Sequence, residues 1–134
     1  MEKAWTDYFG LVRSLAASGA VDVLAHVDVC KKYGYRPDRE PVDLYAAVVA
    51  AAAGSGTAVE LSSQGLRKPI AEEYPSPAFL KMFHTAGVPI SLASDAHMPG
   101  EVGFAHDHLL AAACSAGYSC RLTFDRRVPE PVEL

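Results

Sequence analysis

Three short stretches hold residues able to do chemistry together. In Ser94-Asp95-Ala96-His97 a carboxylate and an imidazole lie two positions apart. In extended backbone that spacing points both to one side. The donor types suit Zn, Mn or Fe, and equally a hydrogen-bonded Asp–His pair at a turn. In Ala25-His26-Val27-Asp28 the histidine can be a metal ligand, a general base or a hydrogen-bonding group at a strand end. In Gly65-Leu66-Arg67-Lys68-Pro69 a glycine permits a tight turn ahead of two cations. A guanidinium offers a planar fork of donors that matches phosphate or carboxylate oxygens, while a solvated basic loop needs no ligand. His106-Asp107-His108 also looks like a metal pair. It falls in a helical pattern, where residues two apart point about 200° away from each other. His84 falls near a helix C-terminus, where an imidazole interacts favourably with the dipole.

The elements that must position these residues follow from the pattern around them. Apolar β-like runs cover residues 21–25, 58–62, 90–94 and 119–124. Helical patterns precede each one. Trp5, Tyr8, Phe9, Val12, Leu15 and Ala16 recur on one helical face, and 43–53 and 102–116 are further helical runs. Ser76 as N-cap and Pro77 at the first helical position open another. Gly19, Gly54, Gly87 and Gly117 read as helix stops. The alternation predicts an α/β fold with about four parallel strands joined by right-handed crossovers. In such folds ligands collect at the carboxyl ends of the strands, and all three chemical stretches fall there. Residues 1–125 read as one α/β unit and 126–134 as an irregular tail.

The chain has 134 residues, 12 Lys+Arg against 16 Asp+Glu, and a formal net charge of −4. Half of it is hydrophobic, too much for a disordered chain. A mildly acidic balance leaves no footprint for nucleic acid or an anionic membrane. A complete (β/α)8 barrel needs about 250 residues and is excluded. Cys30, Cys114 and Cys120 show no C-x-x-C spacing, as expected for reduced thiols. The longest apolar run, 44–53, is shorter than the ~18 residues of a membrane span. The first residues do not pattern as a signal peptide, so the expected location is cytoplasmic, with no membrane partner.

Taken in order, Val23-Leu24-Ala25-His26-Val27-Asp28, the Gly65 to Pro69 stretch with Glu72 and Tyr74-Pro75-Ser76, Ser94-Asp95-Ala96-His97 with Val102-Gly103, and Ala116-Gly117-Tyr118 form a recognisable series. It resembles the histidinol-phosphatase branch of the PHP (polymerase and histidinol phosphatase) superfamily over residues 5–127. The resemblance implies the C-terminal half of a distorted (β/α)7 TIM-like barrel with up to three divalent metals at the strand ends. His26, Asp95 and His97 would be metal ligands, Asp95 and His97 catalytic, and Arg67 would hold the substrate phosphate. The implied reaction is hydrolysis of a small phosphorylated substrate, L-histidinol phosphate, to L-histidinol and phosphate in histidine biosynthesis. Metals would supply a bound hydroxide for in-line attack, and Arg67 would add donors to the phosphate. The family opens with an H-x-H motif and further ligands, whereas the first histidine here is His26. The N-terminal half of the barrel is therefore expected to be absent, leaving each ion one ligand from this chain. Ser62-Ser63 also stands where this branch often has Asn-Thr. Two other readings remain: a PHP phosphoesterase for nucleotides or sugar phosphates, or a non-catalytic fragment. A half barrel leaves an edge and an apolar face open, so self-association or pairing with an N-terminal half is expected.

Overall fold

The computed structural model describes residues 2–134. Helix α1 (Glu2–Ser18) leads to a short strand β1 (Val23–Leu24), then α2 (Val42–Ser55), β2 (Ala58–Ser62), α3 (Pro77–Thr85), β3 (Ile90–Ala93) and α4 (His106–Ala116). The chain closes with β4 (Cys120–Asp125) and β5 (Val128–Glu133). Strands β1, β2 and β3 form a parallel sheet in that order, with Leu24 opposite Val59 and Val59 opposite Ile90.

Helix α1 buries Trp5, Phe9 and Ala16, and α2 buries Tyr45, Val48, Val49 and Ala52. Helix α3 adds Phe79, Leu80 and Phe83. The rings of Tyr45 and Phe79 stack with centroids 4.1 Å apart, and Phe79 and Phe83 follow at 4.6 Å. Val59, Leu61, Ile90 and Leu24 meet this cluster from the sheet. Because side chains alternate along a strand, Glu60 projects to the face opposite Val59 and Leu61.

Helix boundaries depart from the sequence pattern in α2 and α4, while α3 opens at Ser76 and Pro77 as read. Helix α2 runs through Gly54 and ends at Gly56, whose φ of 74° admits the left-handed cap that lets its N–H reach the Ala52 carbonyl. Ser76 stands at the N-cap of α3 without its hydroxyl capping the helix. Its N–H instead donates to Asp28 Oδ2 at 2.8 Å. Helix α4 starts at His106 rather than near 102, because Gly103 and Ala105 both take positive φ.

The expected fourth parallel strand is corrected. Strand β4 packs beside β3 but pairs antiparallel with β5, from Cys120 opposite Glu133 to Asp125 opposite Val128. Residues 126–134 are therefore not an irregular tail. Arg126 and Arg127, at φ of 47° and 70°, form the two-residue turn whose twist suits a hairpin. Arg127 also grips Asp22 ahead of β1, with Nε at 2.8 Å from Oδ2. In β5, Pro129 and Pro131 stand opposite Phe124 and Leu122. No helix among the described residues is long and apolar enough to cross a membrane.

Candidate functional site

Parallel strands end on one edge, so the segments after β1, β2 and β3 converge. Each of them holds a non-glycine residue in left-handed backbone: His26 at φ 36°, Ala71 at φ 49° and Asp95 at φ 48°. Such conformations cost energy and collect where a turn aims a side chain.

His26 places its Nδ1 3.8 Å from Glu60 Oε2. The nitrogen is buried and lacks a hydrogen-bond partner. Glu60 raises the imidazole's pKa against the opposing effect of burial, with Asp95 adding to the rise. Glu60 itself is 9% exposed. The carboxylate of Asp95 accepts a hydrogen bond from Gln64 Nε2.

Arg67 ends the short 3-10 turn Gln64–Arg67 after β2. Its Nη2 donates to the carbonyls of Ser94 at 2.8 Å and Asp95 at 3.1 Å. Its guanidinium carbon lies 5.0 Å from the centroid of the Phe104 ring. Glu101 Oε1 sits 3.5 Å from Nε. Nη1 is buried with no partner.

His97 turns outward. Its side chain is 72% exposed, and its Nδ1 lies 2.9 Å from the Asp95 carbonyl oxygen. Asp95 is not extended, so period-two alternation does not govern the pair. Asp28, beside His26 in sequence, is drawn into the interior, where Lys31 Nζ meets Oδ2 at 2.8 Å. Glu72 joins that network through Lys31 and through Arg36 Nη2 at 2.8 Å. Burial would push Glu72 up, but the two cations hold its carboxyl below the ordinary range.

His106 and His108 are exposed on α4, as their spacing predicts. His108 Nε2 pairs with Glu73 Oε2 at 3.0 Å. His84, in the last turn of α3, packs its ring edge-on against Tyr118 at 4.9 Å.

Glu60, Gln64 and Glu101 escaped the sequence reading. Glu60 carried a usable signal, as the lone charge inside the apolar run 58–62. Gln64 and Glu101 carried none, because Asp95 and Arg67, the side chains they meet, lie on other segments.

Imidazole and carboxylate are suitable metal donors. Yet among the described residues no group of three or more His, Cys, Asp or Glu side chains is placed to hold an ion. His26 stands with Glu60, Asp95 is engaged by Gln64, and His97 faces outward. A catalytic zinc usually takes about three protein ligands. The residues present do not make a complete metal site. What the cluster offers is an oriented guanidinium, a paired imidazole and a held carboxylate at one edge.

No family model matches the chain. A protein of Deinococcus radiodurans, named a probable histidinol-phosphatase, is 45% identical over 101 residues. That match covers 75% of this chain and 38% of the relative, so the chain spans well under half that protein's length. A solved structure from Listeria monocytogenes, assigned as a histidinol phosphatase, superposes with a TM-score of 0.69 at 18% identity. It covers 80% of this chain and 44% of the Listeria protein. At that identity the likeness establishes a shared fold and nothing further.

Proposed function

We propose that this chain carries the phosphate-facing part of a histidinol-phosphatase-type phosphomonoester hydrolase, folded as a section of a PHP-type barrel. The observation that carries this reading is the 45% identity to the Deinococcus protein, which extends over three-quarters of the chain. The geometry supports it. The substrate is a small phosphate ester, and Arg67 holds a buried N–H free at the strand edge. A fixed donor beside a transferring phosphoryl group stabilises charge without reorganising during reaction. His26 and Glu60 form an imidazole–carboxylate pair able to hold a proton at Nδ1.

His26, Asp95 and His97 would each give one donor to divalent ions such as Zn, Mn or Fe, and other ligands would come from a companion segment. Pairing with an N-terminal barrel half in the cytoplasm belongs to the same proposal. The chain alone is expected to be a poor catalyst.

Phosphate release from L-histidinol phosphate tests this, with Mn or Zn present. The chain alone should give no turnover above buffer. Mixed with the N-terminal part of the Deinococcus protein as a separate polypeptide, it should gain activity, and Arg67→Ala should reduce that activity by about 10²-fold. Preference for nucleotide monophosphates, or indifference to Arg67→Ala, would sink the reading. Substantial turnover by the chain alone, lost on Asp95→Ala, would show that it needs no companion.

A further inference from the structure

Arg67 is restrained on three sides. Nη2 is taken by two carbonyls at the end of β3, and the guanidinium lies over Phe104. The Nε edge faces Glu101. A long side chain loses rotamer freedom when held this way, so the restraint needs a firm anchor. Glu101 supplies two points of attachment. Oε2 accepts the His97 backbone N–H at 2.8 Å, while Oε1 lies 3.5 Å from Arg67 Nε. Glu101 is itself fixed in the turn Pro99–Glu101, where its N–H donates to the Met98 carbonyl at 3.0 Å. The carbonyl of Asp95 meets both Arg67 Nη2 and His97 Nδ1. Arg67 and His97 therefore share one carboxylate, and both also meet the Asp95 carbonyl.

We propose that Glu101 is a positioning residue that locks Arg67 to the strand-end turn, leaving Nη1 as the one guanidinium nitrogen without a protein partner. This rests on the reading of Arg67 as the phosphate holder. Glu101 touches no substrate. Its negative charge beside Arg67 would by itself weaken anion binding, so a loss of affinity on its removal separates positioning from simple charge.

The test compares the chain with E101A, R67A, the double variant and E101Q. Thermal melts confirm that each is folded. The first measurement is ¹⁵N relaxation of arginine Nε. Arg67 should show an order parameter of about 0.8 in the starting chain and below about 0.6 in E101A. E101Q keeps an oxygen for the His97 N–H and should fall between. An unchanged Arg67 in E101A overturns the proposal whatever the ligand. The second measurement is affinity for inorganic phosphate. E101A should weaken it by about fivefold, with no further loss when added to R67A. Equal losses in the two backgrounds overturn the proposal, as does tighter binding in E101A. If the starting chain binds no phosphate but E101A still frees Arg67, positioning stands and the phosphate reading falls.

Discussion

Lys31 is an ammonium with almost no access to water, at 1% exposure. Around its Nζ lie Asp28 Oδ2 at 2.8 Å, a Glu72 carboxylate oxygen and the Glu73 carbonyl at 2.9 Å. Methionine matches its length and brings no charge. In Lys31→Met, the fully buried Asp28 would keep only the Ser76 N–H at 2.8 Å. Removing one member of a buried ion pair costs about 3–5 kcal/mol, because the other charge is stranded. Glu72 adds little, since Arg36 still holds it. At this chain length each kcal/mol moves the melting temperature by roughly 3–5 °C, so the variant should melt roughly 10–20 °C lower. Lys31→Met with Asp28→Asn leaves no bare charge and should recover most of the loss. Burial pushes the Asp28 carboxyl up, with Lys31 and the Ser76 N–H opposing. Without Lys31 it rises further. A raised carboxyl holds a proton that the unfolded chain, at about 3.9, has already released, so stability falls as pH rises from there through the folded value. The deficit of Lys31→Met should therefore be smaller at pH 4.5 than at pH 7.5. Urea unfolding followed by circular dichroism at both values measures it. A loss at pH 7.5 under about 1 kcal/mol, or a double variant no more stable than the single, would refute the reasoning.

A Cβ at Gly65 would stand 1.9 Å from the Glu72 carbonyl oxygen and 3.0 Å from the Tyr74 ring, so Gly65→Ala should cost about 3 kcal/mol or more. Gly54 lies in α2 with nothing within 4 Å of such an atom, and Gly54→Ala should gain about 0.5–1 kcal/mol. Equal effects in urea melts would contradict both. His26, raised chiefly by the neighbouring Glu60 carboxylate, should titrate above the free imidazole by NMR. Its stabilising share is full below about 6.5 and is lost as pH rises through the folded value. Glu60→Gln should lower that titration and flatten the pH dependence, and an unmoved titration would disprove the pairing.

The sequence made the main alternation readable because local signals agreed with the fold. Amphipathic spacing in α1, Pro77 opening α3 and a left-handed glycine after α4 each act within a few residues. The strand ends were readable too, since parallel strands must finish together. What stayed hidden depends on backbone or distance. Arg126 and Arg127 turn the chain without the Asn-Gly that marks such hairpins, and two prolines disguise β5. The left-handed Asp95 sends His97 outward, which a D-x-H spacing does not reveal. Gln64 meets Asp95, and Glu101 meets Arg67, some 30 positions away in sequence, so no local pattern exposes those pairs.

The prolines of β5 also set a direction on the molecule. A residue without an N–H cannot donate to the ladder, so Pro129 and Pro131 must face away from β4. The outer rim of the hairpin then shows carbonyls at both positions and no donor at either. An incoming strand needs donors and acceptors in alternation, and this rim offers half the set. Strand addition along β5 is thus disfavoured, while the three-stranded sheet keeps its own edges at β1 and β3.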